Sequence, residues 1–170
     1  MPPLVDGLAG MGNVALPRAL RLTATAVADL LAGVVGGAPK YVPLSVGPDS
    51  FGVIATTDAL TGLHRLTPAD GDPWPNRITA RSLLDIVVHR PVRAAHRIQC
   101  PLLMVVAETD TMAPTGPATQ AAARAPRGEL YRSRGGHYDV YADGVDHSDV
   151  LRVELEFLTR HARSARPSAS

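Results

Sequence analysis

The run PLLMVVA, Pro101 to Ala107, narrows most sharply what this chain can fold into. Even the longest apolar region, Ala26 to Ala38, is interrupted by Asp29 and glycines and falls short of the roughly 20 residues that cross a bilayer. PLLMVVA does not alternate apolar with polar, so it is not a strand with one wet face. A continuous apolar run of this length suits a strand buried on both faces of a parallel sheet. The residues after it agree. A loop, ETDTMAPTG, is followed by a helical stretch from Pro117 to Ala125 and a second short strand from Glu129 to Ser133. A last helix follows, capped by Asp146 or Ser148, with Val150, Leu151, Leu155, Leu158 and Ala162 expected to face inward. Strand, helix, strand, helix with short links predicts parallel α/β architecture with a right-handed crossover.

In open parallel sheets, chemistry collects at the carboxyl ends of the strands. Asp110 stands just past the first strand, and His137 just past the second, in SRGGHYDVY. Two loops remote in sequence would meet at one rim. An imidazole has a pKa near working pH, so it can take and return a proton. A carboxylate beside it fixes its tautomer and stabilises the imidazolium. The glycines Gly135 and Gly136 would let the loop turn sharply. Taken singly, an Asp after a strand is more often a turn or a cap, and a His in a glycine-rich loop is more often surface. It is their placement at the ends of consecutive strands that gives the pair weight. Glu108 and Asp139 are rival acids; the first sits nearer the strand, the second too close to His137 in sequence.

CPLLMVVAETDTMAP and LYRSRGGHYDVY together resemble the C-terminal half of an α/β-hydrolase-fold enzyme. In that family an acid follows the penultimate strand, commonly as G-x-x-D, and a histidine follows the last, commonly as G-H. The corresponding residues here are Ala107-Glu108-Thr109-Asp110 and Gly135-Gly136-His137. The resemblance implies a partial α/β-hydrolase fold: the last parallel strands and flanking helices, with a mainly helical cap insertion. It implies hydrolysis of an ester- or amide-type acyl bond by a Ser-Asp-His mechanism, with His137 as base then acid and Asp110 orienting it. WPNRITARSLLDIVVHRP resembles, at sub-family level, dienelactone-hydrolase-like and X-Pro-peptidase-like esterases.

The family's nucleophile lies in G-x-S-x-G on a strained strand-to-helix elbow, upstream of the acid. The serines before Asp110 are Ser45, Ser50 and Ser82, and none has that surround. Ser50 comes nearest, in PDSFG, with Pro48 where the first glycine should be. Cys100 opens a strand at the far end from the rim and reads as a small core residue. The expectation is therefore a chain that lacks the elbow and both oxyanion donors. Residues 1–11 would be the end of a core strand, 12–97 the cap and its return helix, 98–163 the C-terminal core and 164–170 a disordered tail. Within the cap, Leu16 to Val35 reads as a helix with Leu20, Ala24, Val27, Leu30, Leu31 and Val34 on one face. Thr57 to Leu66 and Asn76 to His89 read as further helices, the latter capped by Asn76. Met112, Tyr138 and Tyr141 are candidates to line a pocket, with core packing an equal alternative.

A net charge of +1, with 17 basic residues scattered singly, gives no basis for a nucleic-acid or membrane partner. The opening MPPLVDGLAG lacks the basic leader and apolar run of a signal peptide, so cytoplasmic placement is the default. No phosphate loop, dinucleotide fingerprint or metal-ligand spacing occurs, so no cofactor or metal is expected; His89 and His96 lie seven apart with Pro91 between them. Three functions compete: half of a serine hydrolase acting on a small acyl substrate, a catalytically inactive binding module, and one part of a split enzyme. The expected partner is a complementing N-terminal half or a second copy. A short parallel sheet leaves an edge that another strand should cover, so the chain alone is expected to be poorly stable.

Overall fold

The computed structural model describes residues 15–68 and 74–164. The expected strand end at residues 1–11 and the expected tail from 165 lie outside them. The chain divides into two compact units, Met1–Arg90 and Pro91–Ser170.

In the first unit, helix α1 spans Leu16–Val34, with a proline in its first turn. It buries Leu22, Ala26 and Asp29. This corrects the expected face: Leu20, Val27, Leu30, Leu31 and Val34 are all exposed, Leu20 at 62% and Val34 at 78%. The reason is Asp29. Its carboxylate accepts hydrogen bonds from the backbone amides of Lys40 and Arg81, at 2.7 and 2.8 Å, and from the Arg81 guanidinium at 3.0 Å through both oxygens. A buried charge needs such partners, and they dictate which face turns inward. Strands β1 (Tyr41–Pro43) and β2 (Arg77–Thr79) pair antiparallel, Val42 opposite Ile78. Leu22, Ala26, Val42, Ala80 and Leu83 form the core of this unit.

Helix α2 spans Ala59–Leu66, close to expectation. The helix expected from Asn76 is shorter. It begins at Ser82 and ends at Val88, as α3, because residues 77–79 are strand. Asn76 is not its cap. Its side-chain amide bonds both ways with the Ser45 backbone, donating at 2.6 Å and accepting at 2.8 Å, and so extends the β1–β2 pairing. A 3₁₀ helix over Pro91–Arg97 opens the second unit and packs against α4. Cys100 is exposed, not a core residue.

The second unit follows the expected order. Strand β3 is Leu102–Ala107, helix α4 is Thr115–Arg124, strand β4 is Gly128–Ser133 and helix α5 is His147–Ser164. β3 and β4 pair in parallel over their full length, Leu102 opposite Gly128 through Ala107 opposite Ser133. Hydrogen bonds from Leu102 N–H to Arg127 and from Glu108 N–H to Ser133 set the alternation. The amides of Leu103 and Val105 therefore face the other edge, where no strand pairs with them among the described residues. Burial of β3 is lower than expected for the same reason: Val106 and Ala107 are buried, and Leu102 to Val105 only half-buried. Helix α5 buries Val150 but leaves Leu151, Leu155 and Leu158 exposed at 42%, 54% and 59%, and Ala162 is exposed too. Full burial of each leucine would add roughly 1.5–3 kcal/mol that these contacts leave unrealised.

Candidate active site

The β3–β4 ladder runs past the strands into the loops that carry the expected acid and base. Glu108 N–H bonds to the Ser133 carbonyl at 2.9 Å, and Thr109 N–H to the Gly135 carbonyl at 3.2 Å. These ties bring Asp110, one residue on, and His137, two residues on, together. Nδ1 of His137 lies 2.9 Å from Oδ2 of Asp110. A carboxylate can only accept, so Nδ1 carries the proton and Nε2 is the basic nitrogen. The other carboxylate oxygen, Oδ1, accepts the amides of Met112 and Ala113 at 2.7 and 2.8 Å. The Asp110 side chain is 9% exposed and the imidazole 30%. The acid is thus held by three donors in a largely dry setting, while the base keeps an open side.

The rivals do other things. Glu108 is exposed. Asp139 accepts the Gly136 amide at 2.7 Å. Asp146 precedes α5, and its carbonyl accepts the Val150 amide at 3.0 Å. Its carboxylate accepts the Gly135 amide at 2.6 Å, a role that sequence reading missed. The need for glycine also differs from expectation. Neither Gly135 nor Gly136 has positive φ. A Cβ on Gly135 would stand 2.6 Å from Cβ of Asp139, so the requirement there is space.

A cleft of about 180 Å³ adjoins the pair, walled by Val105, Ala107, Pro114, Ala118 and Tyr141. Of the residues proposed to line it, Tyr141 does; its ring centroid is 6.4 Å from that of His137. Tyr138 packs edge-on to His137 at 5.1 Å, and Met112 contributes its amide to Asp110. Ser50 lies in an exposed turn of the first unit, Ser45 is buried, and Ser82 donates to the Thr79 carbonyl. Ser133 is buried at the end of β4, with its hydroxyl unpartnered. Among the described residues no group of three or more His, Cys, Asp or Glu could hold a metal ion. His96 Nδ1 sits 2.9 Å from the Arg93 carbonyl. No helix among the described residues is long and apolar enough to cross a membrane.

The crystal structure of the α/β hydrolase GrgF from Penicillium sp. sh18 is similar, with a TM-score of 0.64 at 23% identity, over 94% of this chain and 53% of that one. The structure of DcsB in complex with its substrate analogue has a TM-score of 0.64 at 18% identity, over 86% of this chain and 52% of that one. This chain has a partial α/β-hydrolase fold.

The chain is also similar in sequence to two curated proteins. The quorum-quenching protein AidA of Acinetobacter baumannii (strain MDR-ZJ06) is 31% identical over 158 residues, which is 93% of this chain and 51% of AidA. An uncharacterized 31.7 kDa protein from the traX-finO intergenic region of Escherichia coli is 28% identical over 88 residues, 50% of this chain and 30% of that protein. The chain thus spans about half of AidA and of both solved structures. No protein-family model matches it. None of these relatives carries the name of a dienelactone hydrolase or an X-Pro peptidase.

Proposed function

We propose that this chain is the acid–base half of a serine hydrolase acting on an ester- or amide-type acyl bond. The observation that carries this is the 2.9 Å bond between His137 Nδ1 and Asp110 Oδ2, made at the carboxyl ends of two parallel strands. With Nδ1–H held by Asp110, Nε2 accepts the proton of a serine hydroxyl as its oxygen attacks the acyl carbon. The imidazolium returns that proton to the departing alcohol or amine. Water then attacks the acyl-serine, losing its proton to Nε2, which passes it to the departing serine oxygen as the carboxylic acid leaves.

The serine and the oxyanion donors come from an N-terminal half, in the same polypeptide or in a partner, whose strand covers the open edge of β3. The amides of Leu103 and Val105, with which no strand pairs among the described residues, support that reading, as do relatives about twice as long. By sequence position the first unit corresponds to the cap insertion of such a hydrolase, and the second to its C-terminal core. AidA is a quorum-quenching protein, so a quorum signal with a hydrolysable acyl bond is the first substrate to try. A likeness to the dienelactone-hydrolase and X-Pro-peptidase branch rests on WPNRITARSLLDIVVHRP alone.

A fluorophosphonate probe, which labels activated serines, tests the division of labour. It should leave this chain unlabelled and label the N-terminal half only when this chain is present with His137 intact. Labelling of Ser45, Ser50, Ser82 or Ser133 would show that the nucleophile is here after all.

A further inference from the structure

We propose that Asp139 and Asp146 are positioning residues for His137, acting as a two-carboxylate clamp on the glycine pair before it. The proposal rests on the reading of His137 and Asp110 as a working pair. Asp146 Oδ2 takes the Gly135 N–H at 2.6 Å, and Asp139 Oδ2 takes the Gly136 N–H at 2.7 Å. Consecutive amides are thus each held by a carboxylate, and charge-assisted bonds of this kind are about twice as strong as neutral ones.

The two acids are also tied to each other, since the Asp146 amide donates to the Asp139 carbonyl at 3.1 Å. Asp139 adds a reciprocal bond, its own amide donating to the Gly136 carbonyl at 3.1 Å. The segment between them is closed on itself. A Cβ on Gly144 would stand 2.2 Å from the Asp139 carbonyl oxygen, so the returning part of the loop lies directly against it.

The physical consequence concerns orientation. His137 is the next residue after the clamped amides, and the Gly135 carbonyl in turn accepts the Thr109 amide, one residue before Asp110. Fixing both amide planes fixes the direction in which the chain leaves β4. It therefore fixes where the imidazole can stand relative to Asp110. Without the clamp, a Gly-Gly pair samples far more backbone conformations than other residues do. Asp146 also stands at the start of α5, so the last helix anchors the loop.

The test is the imidazole proton itself. An Nδ1–H that is held by a carboxylate exchanges slowly enough to be seen by NMR and is shifted downfield; a ring that samples several positions loses the signal to solvent. The full chain is labelled with ¹⁵N-histidine and compared with Asp139→Ala, Asp146→Ala, Asp139→Asn, Asp146→Asn and Asp110→Asn, with circular dichroism as a check on folding. The expected result is a downfield Nδ1–H signal from His137 in the unaltered chain, lost in Asp110→Asn and in both alanine variants. It should be largely retained in the asparagine variants at 139 and 146, whose side-chain oxygen still accepts the amide. A signal that persists in both alanine variants would overturn the clamp while leaving the pair intact. Asparagine variants that fold yet lose the signal as completely as alanine would also overturn it. Absence of the signal from the unaltered chain would overturn the pair and the clamp together.

Discussion

His137 Nδ1 and Asp110 Oδ2 meet at 2.9 Å, although 27 positions of sequence separate the two residues. The crossover helix α4 and the full-length pairing of β3 with β4 make that meeting a property of the second unit by itself.

In a protein completed by an N-terminal half, Asp110→Asn should keep the fold and lower kcat by about 10⁴-fold, since an amide favours the wrong imidazole tautomer. Steady-state hydrolysis of an activated ester checks this. A loss below tenfold would mean that Asp110 does not govern the ring.

The two glycines before His137 should differ in tolerance. Alanine at Gly135 meets Asp139 at 2.6 Å and should destabilise the loop by about 1–3 kcal/mol, the usual cost of overpacking. At Gly136 the nearest atom is 3.6 Å away, so alanine should be accepted. Chemical denaturation of the two variants, read by near-ultraviolet signals from Tyr138 and Tyr141, separates the cases.

Acid should loosen the first unit. The Arg81 guanidinium and two backbone amides hold the Asp29 carboxyl well below its usual range, against the opposing effect of burial. A depressed carboxylate stabilises the fold fully above its unfolded pKa of about 3.9, and this contribution fades as pH falls below that value toward the folded pKa. Thermal melts of the helical signal at neutral pH and near pH 3 should show a fall that is smaller in Asp29→Asn, whose neutral side chain starts weaker.

Helix α1 gives a sharp contrast between neighbouring leucines. Leu22 is 1% exposed, so Leu22→Ala should cost about 2–5 kcal/mol. Leu20 is 62% exposed, so Leu20→Ala should stay within about 0.5 kcal/mol. Urea denaturation of both variants checks the assignment of faces.

How much was legible in the sequence depends on how local its cause was. PLLMVVA, the helix after it and the strand ending at Ser133 were legible because continuous apolar runs and short links leave few alternatives. The meeting of Asp110 with His137 was legible because strand ends in a parallel sheet converge. The buried face of α1 was not: the apolar stripe pointed one way, and the charge pairing of Asp29 with Arg81, 52 residues on, turned the helix the other way. Asn76 looked like a cap because nothing local announces that its amide will extend a strand pair with Ser45. The inward face expected of α5 failed for a different reason. Leu151, Leu155 and Leu158 fit a core, but nothing among the described residues covers them. In the proposed assembly their cover, like that of the β3 edge, comes from the N-terminal half.

The most direct measurement is ester hydrolysis by the purified chain, alone and joined to the part of AidA that this chain does not match, each with and without His137→Ala. The expected result is turnover by the joined protein only, abolished by His137→Ala. Turnover by the chain alone, or turnover by the joined protein that survives His137→Ala, would contradict the reading of this chain as the histidine–aspartate half of a serine hydrolase.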